Sequence, residues 1–134
     1  MRSSGFPIQW HRDRGGQAVV ELALSLPLLV ALLVVSIDLG RAFFYNVIVV
    51  DAAEQGARQG SKTPTQDSRI AAAATQSGPA GVLSATDVAV SGSRTSGEAI
   101  TVTVRYDFAP VTPYLGAILG NPIVVRRSAT MRVH

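Results

Sequence analysis

Cysteine is absent from this chain of 134 residues, which excludes a disulfide framework, a thiolate metal site and a cysteine nucleophile. Histidine occurs only at His11 and His134, near the two chain ends, where nothing pre-organises an imidazole for catalysis or metal binding. Charge is also scarce, at 16% of residues, and aromatics make up 6%. The formal +3 rests on twelve basic residues, nearly all arginine, which are dispersed and not interleaved with aromatic side chains. A groove or single-strand binder needs a clustered basic face with stacking platforms, so no nucleic-acid partner is expected. Phosphate-cradling glycine loops, H-E-x-x-H and G-x-S-x-G are all missing. Asp87, Glu98 and Asp107 are scattered, and Asp51, Glu54 and Arg58 have the spacing of surface ion pairs on a helix. The composition points to a building block: not an enzyme, with no catalytic residues, no cofactor and no metal.

What is present is apolar surface, with 47% hydrophobic residues and a mean hydropathy of +0.27. The length suits one domain with an appendage. From Ala18 to Ile37 the sequence AVVELALSLPLLVALLVVSI carries one charge, Glu21. Twenty helical residues rise about 30 Å, the thickness of a bilayer's hydrocarbon core. Arg2, Arg12 and Arg14 outnumber Asp13 upstream, so the positive-inside rule places the N-terminus in the cytoplasm and everything after Asp38 on the far side. The alternative is a cleaved secretory signal. Against it, the run exceeds the usual apolar region of about 7–15 residues and is followed by poor small-x-small cleavage sites.

Beyond Asp38 the pattern stays free of proline and sets Phe44, Val47, Ile48, Ala52 and Ala53 at helical spacing, so the helix is expected to continue from Gln17 to about Gly60. Gly56 and Gly60 suit close approach of another backbone, although Gly60 reads better as the C-cap. Thr63 and Pro64 then predict the cap and first residue of a short second helix ending near Ser77. After it the period changes from 3.6 to 2. Val88 and Val90, then Ile100, Val102, Val104, Tyr106 and Phe108, then Val125, Ala129, Met131 and Val133 each alternate with polar residues, which predicts three antiparallel strands. The stretch from Gly92 to Gly97 reads as a hairpin loop. Ala109 to Pro122 reads as a crossover with a helical turn around Tyr114, Leu115, Ile118 and Leu119. The expected fold class is α+β: a long N-terminal helix, a short second helix and a small antiparallel sheet packed on the outer half of the first helix. The organisation read from this is a basic leader over 1–16, a membrane and spine helix over 17–60, and a head over 61–134.

Two residues inside the run stand out. Glu21, the one charge in the run, reads as a snorkelling interfacial acid favoured by the helix dipole. Pro27 removes a helical hydrogen bond, frees the Ala23 carbonyl and predicts a kink, with either Ser25 or local unwinding to satisfy that carbonyl.

The segment Arg12-Asp13-Arg14-Gly15-Gly16-Gln17-Ala18-Val19-Val20-Glu21-Leu22 sets a basic leader, a glycine and a glutamate five residues later directly against the apolar run. Here the chain resembles the TadE-like minor pilins, or pseudopilins, of the tight-adherence (Flp) pilus system. The resemblance extends through Pro27 and Ile37-Asp38-Leu39-Gly40-Arg41-Ala42-Phe43-Phe44, similar to that family's membrane-exit segment, to Asp51 through Arg58. It implies a prepilin peptidase cutting between Gly16 and Gln17, with Glu21 at the fifth mature position as the assembly residue and Asp38 and Arg41 at the membrane exit. It further implies other pilin subunits, an inner-membrane assembly platform and membrane lipid as partners. The implied location is the bacterial inner membrane, crossed once, with the head outside. Leu22 departs from the family pattern, in which an aromatic residue commonly follows the glutamate. A signal-anchored binding or sensor domain that never polymerises is the alternative function.

Overall fold

The computed structural model describes residues 14–134. Arg2, His11, Arg12 and most of the expected leader lie outside the described residues. The elements follow in the order α1 (Arg14–Lys62), α2 (Asp67–Thr75), a 3-10 turn (Ala85–Asp87), β1 (Val88–Gly92), β2 (Ala99–Phe108), α3 (Pro113–Leu119) and β3 (Ile123–Arg132). The class is α+β, as expected, with the three strands in one antiparallel sheet ordered β1-β2-β3. The chain divides into two compact units, Met1–Leu33 and Val34–His134.

In the first unit the described residues are all helical, and Pro27 lies inside α1 without ending it. The Ser25 hydroxyl donates to the Glu21 carbonyl at 2.8 Å, so it closes its own turn instead of serving the Ala23 carbonyl. The large apolar side chains between Val19 and Leu33 are all more than half exposed, from 52% at Val30 to 75% at Leu24. Solvating that surface costs about 25 cal/mol per Å² relative to an apolar surrounding, which only lipid or other helices can supply here. It belongs to the helix Gly15–Lys62, which is long and apolar enough to cross a membrane.

The second unit builds a core between a small-residue helix face and a large-residue strand. The outer part of α1 buries Ile48, Val49, Ala52, Ala53 and Ala57, and β2 buries Ile100, Val102, Val104 and Phe108. Each such β2 side chain contributes about 1.5–3 kcal/mol on burial. They fit because α1 presents glycine where β2 comes nearest. A Cβ on Gly56 would meet Val102 Cγ1 at 2.8 Å, and one on Gly60 would meet Ile100 Cδ1 at 3.1 Å. Gly60 therefore does not cap the helix, which runs on to Lys62; its missing side chain makes room for Ile100. Thr63 likewise does not start α2. Its amide and hydroxyl both donate back to the Gln59 carbonyl, at 2.9 and 3.2 Å, so it closes α1, and α2 begins at Asp67 behind Gln66. Ile70 and Ala74 of α2 complete the core.

Strand β2 is central, pairing Val88 to Val104 and Gly92 to Ile100 on one side, and Ala99 to Arg132 through Phe108 to Ile123 on the other. Its outward threonines join β3 through hydroxyl pairs, Thr101 with Thr130 and Thr103 with Ser128, both at 2.8 Å. At the hairpin, Gly92 adopts a φ of +99° and lies so near the Ala99 carbonyl that no side chain fits. After β3, the Val133 amide donates to the Glu98 carbonyl and the His134 amide to the Ser61 carbonyl. Along α1, β2 runs in the opposite direction. Ile100 lies by Gly60, Val102 by Gly56, and Tyr106 stacks on Tyr45 with ring centroids 4.6 Å apart. The far end of β2 thus arrives beside the first residues after the apolar run.

Candidate functional site

The residues that end the apolar run fold into a clasp. Asp38 is one turn of α1 before Arg41, and its side chain is enclosed, with 1% of the residue exposed. One carboxylate oxygen, Oδ2, accepts from the Thr112 amide at 2.7 Å and the Thr112 hydroxyl at 2.6 Å. The other, Oδ1, accepts from the Val111 amide at 3.1 Å and from Arg41 Nη1 at 3.3 Å. The Thr112 hydroxyl, followed by its amide, holds the Asp38 carboxyl down to about 2; burial opposes this, and the Val111 amide and Arg41 reinforce it. The group is therefore a carboxylate at neutral pH, and its charge is matched by donors from a segment more than seventy residues away.

Local sequence explains each part. Thr112 precedes Pro113 and occupies the N-cap position of α3 in extended conformation, which leaves its own amide and hydroxyl free to turn toward Asp38. Arg41, on the same face as Asp38, lays its guanidinium over the Phe108 ring, 5.2 Å from the centroid. Phe108 is 1% exposed and also packs on Tyr45 at 5.7 Å. A carboxylate, a guanidinium and a ring cluster thus fasten the end of β2 and the start of α3 to one stretch of α1. Such an arrangement fixes geometry, and it leaves Asp38 no free lone pair facing solvent.

Of the residues singled out from sequence, Asp38 and Arg41 are brought together. Gly16, Gln17 and Glu21 follow one another along the first turns of α1, all exposed. A Cβ on Gly16 would meet nothing within 4 Å. Among the described residues the Glu21 carboxylate has no ion-pair partner. Val111, Thr112, Tyr45 and Phe108 went unrecognised as members of this site; the Thr-Pro pair at a helix start was their one local signal. A shallow concavity of about 460 Å³ lies elsewhere, lined by Asp51, Gln55, Ala73, Gln76 and Ser77. It offers one carboxylate. Among the described residues no three histidine, aspartate or glutamate side chains converge as a metal site would require.

Residues 16–58 match the family model of the TadE-like protein. That stretch begins at the glycine of the Gly-Glu segment and ends at Arg58, so the resemblance to TadE-like proteins is borne out over the helix that carries it. The match points to a protein associated with the tight-adherence pilus machinery, held by an apolar N-terminal helix fit for a membrane anchor. No curated protein and no solved structure gives a significant match to the chain.

Proposed function

We propose that this chain is a minor pilin, or pseudopilin, of a tight-adherence pilus or a related secretion machine. In this reading it crosses the inner membrane once through Ala18–Ile37, with the N-terminus cytoplasmic. A prepilin peptidase removes the leader between Gly16 and Gln17, and the subunit is drawn into the pilus through its helix by the inner-membrane platform. The reading is of a structural subunit, with no reaction of its own. The observation that carries it is the exposed apolar helix of the TadE-like segment, interrupted by the single charge of Glu21. A solitary anchor has no use for a carboxylate there, which costs up to about 2.5–3.5 kcal/mol at the bilayer centre. A packed bundle has one, because the new α-amino group of Gln17 on a neighbouring copy supplies the counter-charge.

Glu21→Ala separates insertion from assembly. Insertion and processing are expected to persist. Losing the partner of a buried ammonium costs about 3–5 kcal/mol, enough to exclude the subunit from a polymer. The variant is therefore expected in membranes and absent from sheared or crosslinked pilus assemblies, with Glu21→Gln rescued only in part. Normal co-purification of Glu21→Ala with pilus components would return Glu21 to the role of an interfacial acid and favour the non-polymerising anchor.

A further inference from the structure

We propose that the segment joining β2 to β3, centred on α3, is a second membrane contact: it lies in the headgroup region of the outer leaflet and seats the head on the bilayer. The inference rests on Ala18–Ile37 spanning the membrane. The clasp ties Val111 and Thr112 to Asp38, the residue immediately after that run, through bonds of 2.6–3.1 Å. The start of α3 is thus fixed at the level where the helix leaves lipid. With seven residues, α3 is about 10 Å long, so no part of it is far from that level.

The composition and exposure of the segment fit that level. Residues 109–122 contain no Asp, Glu, Lys or Arg. Beyond α1, the large apolar side chains left exposed among the described residues are Val111 at 68%, Ile118 at 79%, Leu119 at 59% and Val124 at 48%. All four lie in this segment or at the adjoining start of β3, and the opposite end of the head is polar, with Arg94 paired to Asp67 and hydrogen-bonded to the Pro64 carbonyl. Leu115 and Gly116 are half-buried, Gly116 against Pro110 and Asn121, while Ile118 and Leu119 are exposed. The side chain of Tyr114, expected in the same patch, lies outside the described residues. An apolar surface of this kind docks about 5–10 Å into the boundary between headgroups and acyl chains. Anchoring the head at two points would hold it against the membrane until the helix is extracted into a polymer.

Because the chain has no cysteine, a single substitution gives one labelling site. Ile118→Cys and, separately, Val111→Cys would carry an environment-sensitive fluorophore in the full chain reconstituted into phosphatidylethanolamine and phosphatidylglycerol vesicles. Leu29→Cys in the run and Glu98→Cys in the hairpin serve as references. The Ile118 and Val111 probes are expected to lose fluorescence to lipid bearing a nitroxide near the headgroup and to resist an aqueous quencher, whereas the Glu98 probe does the reverse and the Leu29 probe answers to a nitroxide deep in the acyl chain. If the Leu29 probe responds to lipid while the Ile118 and Val111 probes behave like Glu98, the second contact is overturned and the anchor stands. If they are shielded from both quenchers, and the shielding disappears as protein is diluted in lipid, a second copy covers the patch and the lipid contact is overturned. A Leu29 probe that escapes lipid altogether sinks the anchor, and this inference with it.

Discussion

Asp38 combines two demands that ordinarily conflict: it is enclosed by protein, and it is charged. Its four hydrogen-bond donors resolve the conflict and leave a pH signature. The folded-state value of about 2 is below the ordinary 3.8, so the clasp's contribution to stability is complete above about pH 4 and is lost as pH falls toward 2. Thermal unfolding of the detergent-solubilised chain is expected to fall across that window. Asp38→Asn, neutral throughout, is expected to start from a lower midpoint at neutral pH and to show a flatter fall; a variant equal to the parent in both respects would mean that the clasp holds nothing. At Gly16 the expectation is chemical. A peptidase needs close access to extended backbone, and glycine offers no Cβ to obstruct it. Gly16→Leu is expected to leave the precursor uncut in the membrane, and a mature N-terminus at Gln17 in that variant would disprove the assigned cut. Asp38 and Arg41 were legible as the membrane exit that the resemblance implies. Their partners were not, because nothing in the local pattern of Val111 and Thr112 says which carboxylate their donors face.

At the scale of elements, α1 changes its surroundings along its length. Up to Leu33 its apolar side chains face outward, and from Ile48 its alanines and glycines receive the sheet. Two glycines on this one helix give opposite expectations. Gly40 has nothing within 4 Å of a prospective Cβ, so Gly40→Ala gains about 0.5–1 kcal/mol from reduced backbone entropy. At Gly56 the same gain meets Val102 Cγ1 at 2.8 Å and Ala74 Cβ at 3.3 Å, both held in a buried cluster, and overpacking costs about 1–3 kcal/mol. Gly56→Ala is therefore expected to lower the denaturation midpoint and Gly40→Ala to keep or raise it; the reverse order would contradict the packing described. The strands were legible because one face of each is buried and the other is not, a contrast that period-2 alternation records directly. Boundaries at Gly60, Thr63 and Pro64 were misread for a shared reason. Glycine, threonine and proline are ambiguous between ending an element and packing or capping within it, and the choice was made by Ile100 and Gln59, which are distant or already committed to α1.

The whole molecule joins an N-terminal segment that is TadE-like over residues 16–58 to a head whose core it shares. The head's outer sheet face is laced by threonine and serine hydroxyls, and its apolar exposure is gathered at the end where the chain leaves the apolar run. That division of surfaces suits the proposed subunit, stored in a membrane and later passed into an assembly. The central claim is that the chain is a processed prepilin, and the intact mass of the protein extracted from membranes tests it most directly. One species beginning at Gln17 is expected, with Glu21 and the whole apolar run retained, and the uncut chain in cells without the peptidase. A mass showing cleavage beyond Ile37, or an uncut chain in cells that process their other prepilins, would contradict it.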